Sequence, residues 1–123
     1  MKLHYHPAST TSRTVMLFAA ESGIPIDIQV VDLFTGEHDN PSLEATNPNH
    51  LVPVLEEGGF RLTENSAILE YLADKAGSPL YPKDLRGRAR VNEGMDWINT
   101  QRCRDLACGL VYPQPTCSAG SLA

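Results

Sequence analysis

Residues 54–77, VLEEGGFRLTENSAILEYLADKAG, place the tightest limits on the fold. Val54-Leu55-Glu56-Glu57 and Phe60-Arg61-Leu62 flank the pair Gly58-Gly59. That pattern reads as a β-hairpin, because glycine reaches the positive φ that a two-residue turn requires. A helix follows at once. Between Thr63 and Ala76, the residues Ile68, Leu72 and Ala76 line one face, Leu69 and Ala73 widen it, and Gly77 closes it.

Upstream, Lys2 to His6 is short, β-compatible and ends at Pro7, a first strand. From Ser12 to Ser22, the residues Val15, Phe18, Ala19 and Ser22 follow helical spacing, and Gly23 supplies a stop. Asp27-Ile28-Gln29-Val30-Val31 alternates as a strand. Asn40-Pro41-Ser42 opens a short helical piece, with Asn40 as N-cap and Pro41 at the first position. The order is therefore β-α-β-α-β-β-α. A helical crossover makes the first two strands parallel and the hairpin adds antiparallel ones, giving an α/β fold with a mixed four-stranded sheet.

Gly77-Ser78-Pro79-Leu80-Tyr81-Pro82 has the composition of a linker. Beyond it, 86–112 has helical character, with Val91, Met95 and Ile98 on one face and Leu106 and Leu110 further along. That helix has no visible partner in the chain and reads as the start of a second domain. Residues 113–123, PQPTCSAGSLA, read as an unstructured tail. The expected division is 1–78, a linker at 79–85, 86–112 and the tail.

A chain of 123 residues makes one domain, or one domain and a fragment of a second. Its net charge of −5 argues against nucleic acid and anionic membranes as main partners, and leaves room for a local site that binds a small anion. Cys103, Cys108 and Cys117 form an odd set without zinc-like pairing, which reads as free thiols in a reducing compartment. The opening KLHYH has no signal-like pattern and no run spans a bilayer, so a cytoplasmic setting is expected. His4 and His6 show no metal-ligand spacing; on an alternating strand they share a surface or half-buried face, and Tyr5 points the other way into the core.

Three segments are candidates for chemistry. In Asn47-Pro48-Asn49-His50-Leu51-Val52-Pro53, Pro53 stands at the mouth of a strand. It either starts that strand in trans or, in cis, turns the Val52 N–H and C=O outward for an extended peptide ligand. Thr63-Glu64-Asn65-Ser66 heads the best helix. It is either a simple cap by Thr63 or Asn65, or a site where free amides hold a carboxylate and Glu64 holds an ammonium. In His6-Pro7-Ala8-Ser9-Thr10-Thr11-Ser12-Arg13, hydroxyls crowd a helix start. Ser9 there is a cap, a nucleophile or a donor to another sulfur, and no acid and histidine are arranged to make it a triad nucleophile. Ser9 and Ser12 stand where a redox domain of this layout carries Cys-x-x-Cys, so disulfide exchange is not its main chemistry.

Taken together and in this order, Tyr5-His6-Pro7-Ala8-Ser9 through Arg13, Asn47 through Pro53, and Leu62-Thr63-Glu64-Asn65-Ser66-Ala67-Ile68 resemble the N-terminal domain of a cytosolic glutathione transferase. The similarity is to the serine-type members, of the theta, delta and related bacterial classes, and it extends through the linker into the first helix of the family's second domain. It implies a thioredoxin-like βαβαββα domain followed by a truncated all-α segment. It also implies that Ser9 hydrogen-bonds the glutathione sulfur. His50 and His38 would contact the glycine carboxylate, and Val52, beside a cis Pro53, would pair with the cysteinyl backbone. Glu64, Asn65 and Ser66 would receive the γ-glutamyl end. Asn65 stands where the family commonly has serine, Ser66 where the serine classes are often basic, and Tyr5 offers a tyrosine-type alternative to Ser9.

The implied activity is attack of glutathione's thiolate on a small hydrophobic electrophile, with glutathione as co-substrate and no metal or other cofactor. The family works as a homodimer whose second domain lines the electrophile pocket. That domain breaks off here after Tyr112, so the chain by itself is expected to be weakly active or inactive. Two further readings use the same site: a non-catalytic glutathione-binding or interaction module, and a glutathione-dependent isomerase or dehalogenase.

Overall fold

A computed structural model of the chain describes residues 1–31 and 51–100. The chain separates into two units, Met1–Tyr81 and Pro82–Ala123. The first contains β1 (Lys2–Tyr5), α1 (Thr10–Glu21), β2 (Asp27–Val30), β3 (Val54–Glu57), β4 (Phe60–Leu62) and α2 (Asn65–Ala76). Its four strands form one sheet in the order β2-β1-β3-β4. β1 is parallel to β2 and antiparallel to β3, and β3 and β4 form the hairpin. This is the mixed sheet expected from the element order. The helix expected to open at Asn40-Pro41-Ser42 lies outside the described residues.

Alternation explains the packing. Ile28, Leu3, Leu55 and Leu62 stand side by side across the four strands, and Leu3 and Leu55 are fully buried. Against each other pack α1, burying Val15 and Ala19, and α2, burying Ile68, Leu69, Leu72 and Ala73. Each large aliphatic side chain removed from water this way contributes roughly 1.5–3 kcal/mol before its entropy loss. The inward stripe on α2 is the one that the spacing predicts.

Several boundaries move for identifiable reasons. β1 ends at Tyr5, so His6 lies beyond the strand and is buried instead of sharing a surface face with His4. Tyr5 is half-buried and not a core residue. α1 begins at Thr10, ahead of the expected Ser12, because the extended Ser9 caps it: Ser9 Oγ accepts the Ser12 N–H at 3.2 Å. α2 begins at Asn65 instead of Thr63, since Glu64 has φ 69° and ψ 124°, far from helical values. At its other end Gly77 takes φ 63°, and the N–H groups of Gly77 and Ser78 return to the carbonyls of Asp74 and Ala73. That is the left-handed terminator glycine permits without a Cβ penalty.

The hairpin tip is fastened to α2. Tyr71 donates its hydroxyl to Glu57 Oε2 at 2.7 Å, and Lys75 Nζ pairs with Glu57 Oε1. The Phe60 and Tyr71 rings lie 5.5 Å apart, and the Lys75 ammonium stands 5.7 Å from the Tyr71 ring centre. The lysine first, and then the tyrosine, hold the Glu57 carboxyl below its usual range; in return Glu57 raises both Lys75 and Tyr71.

In the second unit α3 spans Leu85–Trp97. It starts one residue before the expected Arg86, because Asp84 caps it: Oδ1 accepts the Gly87 N–H at 2.8 Å and the backbone carbonyl accepts the Arg88 N–H at 3.0 Å. No residue of α3 is buried, and Trp97 and Ile98 are exposed. The expected continuation through Leu106 and Leu110 to Tyr112, the tail at 113–123 and the three cysteines lie outside the described residues. Among those described, no helix is long and apolar enough to cross a membrane.

Candidate functional site

Strand register brings the candidate segments to one end of the sheet. His4 stands opposite Val54, and Leu55 opposite Leu62. The last residues of β1, the first of β3 and the last of β4 are therefore neighbours at the same edge of the fold. From this edge emerge the loop carrying Ser9, the segment 51–53 and the turn 63–66 that opens α2. The three are far apart in sequence and converge only through the pairing.

The Ser9 loop is built by His6. Its carbonyl accepts the Ser9 N–H at 3.0 Å, and its ring Nδ1 accepts the Ala8 N–H at 3.1 Å. The acceptor role of Nδ1 puts the ring proton of neutral His6 on Nε2. Arg13 closes the loop from the helix side by donating to the Pro7 carbonyl at 3.0 Å. The sequence places His6 on a surface or half-buried face shared with His4; its neighbour Pro7 is the available sign that its side chain leaves the strand alternation.

Ser9 is half-buried and accepts the Ser12 amide, which leaves its own hydroxyl hydrogen to donate. Its Oγ lies 2.9 Å from Thr11 Oγ1, and the Thr11 hydroxyl donates to the Val52 carbonyl at 3.4 Å. The hydroxyl cluster and the strand mouth are thus joined directly. Thr11 was read only as one of several loop hydroxyls, and nothing in the sequence pairs it with a residue 41 positions away. The Val52–Pro53 peptide bond is cis, Val52 is half-buried and Pro53 is buried. The Val52 carbonyl, expected to be open, receives the Thr11 hydroxyl.

At the start of α2 the N-cap residue is Glu64, which makes no side-chain cap hydrogen bond, so among the described residues simple capping by Thr63 or Asn65 is not what forms. Glu64 is exposed and is the sole non-glycine residue with positive φ among the described residues. Such a conformation costs energy and persists only where its surroundings hold it. Asn65 Oδ1 is buried without a hydrogen-bond partner, an acceptor already stripped of water next to the helix's positive end. Ser66 is half-buried. His38 and His50 lie outside the described residues. Tyr5, the alternative donor, is paired in register with Val30.

Beside this edge His4 Nε2 and Glu56 Oε2 lie 3.1 Å apart, with His4 Nδ1 buried and unpartnered. That hydrogen bond, helped by Arg61 and Lys2, lowers the Glu56 carboxyl from its usual range. Among the described residues no group of three or more His, Cys, Asp or Glu side chains is arranged to hold a metal ion.

Residues 8–75 match the family model described as the N-terminal domain of glutathione S-transferase. Human glutathione S-transferase theta-1 is 40% identical over 102 residues, covering 81% of this chain and 42% of that protein. The structure of human glutathione transferase theta-2, in complex with glutathione and an unknown ligand, superposes with a TM-score of 0.74 at 41% identity. It covers 80% of this chain and 41% of that one. A delta-class glutathione transferase of Nilaparvata lugens gives a TM-score of 0.82 at 37% identity, covering 91% of this chain and 53% of that one. The chain spans about two-fifths of the length of the curated relatives it matches. With the matched segment running through the Ser9 loop, the cis Val52–Pro53 bond and α2, the chain belongs to the glutathione S-transferase family by way of its N-terminal domain.

Proposed function

We propose that this chain binds glutathione at the edge of the sheet where β1, β3 and β4 deliver their loops, and lowers the pKa of its thiol through the Ser9 hydroxyl. The observation that carries this reading is the placement of Ser9: it caps α1, keeps a hydrogen to donate, and is linked to Val52 through Thr11. Val52 would pair with the cysteinyl backbone beside Pro53. Glu64 would take the γ-glutamyl ammonium, and the Asn65 amide and Ser66, at the start of α2, its carboxylate. His38 and His50 remain assigned to the glycine carboxylate by family resemblance alone. The human theta-2 relative solved with glutathione supports the choice of ligand.

The magnitudes are compatible. A free thiol has a pKa near 8.5, and lowering it by about two units requires roughly 2.7 kcal/mol of preferential thiolate stabilisation. A hydrogen bond to a charged group contributes about 1.5–3 kcal/mol, and the positive end of α1 adds to it. Ser9 also accepts the Ser12 N–H, which polarises its own O–H toward donation. Ser9 stays protonated; the attacking nucleophile is the glutathione sulfur, and its acceptor is a small hydrophobic electrophile. Residues 1–78 form the binding domain in this reading, 79–85 the linker, and 86 onward the beginning of an all-α segment. A homodimer and a cytoplasmic setting accompany it.

Because the chain spans about two-fifths of its relatives, the test reads binding rather than turnover. Calorimetry should detect glutathione binding, and an ultraviolet titration of the bound thiol should show a pKa well below that of free glutathione, raised again in Ser9→Ala. Absence of binding by the folded chain refutes the reading, and an unchanged pKa in Ser9→Ala removes the donor role. Turnover with an aryl halide then distinguishes transferase from pure binding module.

A further inference from the structure

The hydrogen bonds around Ser9 can run in two directions. With the Thr11 hydrogen on the Val52 carbonyl at 3.4 Å, Ser9 donates and Thr11 accepts in the 2.9 Å pair; with it on Ser9, the Ser9 hydrogen is left to donate elsewhere. Ser9 in turn accepts the Ser12 amide at 3.2 Å. In the first arrangement the chain of bonds runs from the Ser12 N–H through Ser9 and Thr11 to the Val52 carbonyl. It occupies the Ser9 hydrogen and one of the two lone pairs of the Val52 acceptor.

We infer that Thr11 is a positioning residue that bridges Ser9 and Val52 and turns its hydrogen from Val52 to Ser9 when a thiolate takes the Ser9 hydrogen. This deepens the proposed function and rests on it. A sulfur anion near Ser9 is a stronger acceptor than a neutral hydroxyl, so the Ser9 hydrogen turns from Thr11 to sulfur. Thr11 Oγ1 loses its donor, and its own hydrogen swings from the long contact with Val52 to the shorter one with Ser9. Two hydroxyl rotations accomplish the exchange, with no movement of heavy atoms. Ser9 then accepts from both Ser12 and Thr11, which strengthens its donation to the thiolate. The Val52 carbonyl then has both lone pairs for N–H groups of the incoming peptide backbone. Thr11 thus links, through one hydroxyl, the donor proposed for the thiol with the acceptor proposed for the backbone of the same cysteinyl residue.

The test compares the full chain with Thr11→Val, which keeps the shape and removes the hydroxyl, and Thr11→Ser, which keeps the hydroxyl. The readouts are the glutathione dissociation constant by calorimetry and the bound thiol's pKa by ultraviolet titration. A cooperative strengthening of about 10–30% on a charged hydrogen bond corresponds to a pKa rise of up to about half a unit in Thr11→Val. That is roughly a threefold loss of thiolate at pH values below the pKa. Affinity should change by less than about twofold, since Val52 keeps its carbonyl, and Thr11→Ser should restore the wild-type pKa. A Thr11→Val pKa equal to wild type, or a Thr11→Ser pKa displaced from it, overturns the inference and leaves Ser9 as an independent donor. Absence of glutathione binding by wild type overturns the function itself, so the two failures are told apart.

Discussion

Two serines three residues apart at the start of α1, the cap Ser9 and Ser12 in the first turn, should respond to alanine with opposite signs. Ser12 is 0% exposed and its Oγ has no hydrogen-bond partner, whereas its backbone N–H is satisfied by Ser9 Oγ. Ser12→Ala keeps the backbone bond and removes the orphaned hydroxyl. An unpaired buried hydroxyl costs about 1–3 kcal/mol, and alanine adds up to about 0.5 kcal/mol of helix propensity. The missing oxygen forfeits a few van der Waals contacts of about 0.1–0.2 kcal/mol each. The balance is a stabilisation of about 1–2 kcal/mol, or roughly 5–10 °C in melting temperature for a unit of this size. Urea denaturation followed by circular dichroism measures it, with equal m-values confirming that only the native state changed. Ser9→Ala serves as the contrast: it strips the acceptor from the Ser12 amide and should cost about 1 kcal/mol as a lost cap. A Ser12→Ala protein less stable than wild type would refute the reasoning, because it would show that the hydroxyl has a partner.

Three other outcomes follow from the same structure. Leu72→Ala, at a fully buried position on the α2 stripe, should lose about 2–5 kcal/mol by urea titration, and a loss below about 1 kcal/mol would remove it from the core. Gly77→Ala should cost about 1 kcal/mol through backbone strain alone, since φ is +63° and a Cβ there meets nothing within 4 Å; Gly77→Asn should cost less. Glu56 and Glu57 titrate below their unfolded values, so their stabilisation is complete above about pH 4.3 and is lost as the pH falls through their folded values. Denaturation midpoints should drop on acidification in that window, and a Glu57→Gln profile as steep as wild type would remove Glu57 from the cause.

The parts of the fold that could be read in advance are those governed by local rules. Gly58-Gly59 between alternating segments specified the hairpin, and the spacing of Ile68, Leu69, Leu72 and Ala73 specified the inward face of α2. Helix starts were misplaced because a cap is a matter of φ and ψ, not of composition. Thr10 and Thr11 look like loop residues and form the first turn of α1, while Thr63 and Glu64 look helical and do not, since Glu64 turns to positive φ. In the candidate site, Ser9, Val52, Pro53 and Glu64 were legible as motifs. The His6 ring under the loop was not, because its bond to the Ala8 N–H depends on the local backbone turn after the strand, and the Thr11 link to Val52 was not, because it depends on which strands are neighbours.

The fastening of Glu57 to Tyr71 and Lys75 has a geometric corollary. It grips α2 six and ten residues beyond Asn65, about 9–15 Å along the axis from the end that carries the proposed glutathione groups. The helix is therefore a lever with its clamp at the back and its working tip at the front. A tilt of about 5° at the clamp sweeps the tip by about 1 Å over that length, comparable to the difference between a good hydrogen bond and none. Substitutions at the hairpin turn are thus a means of shifting the proposed γ-glutamyl site without touching it.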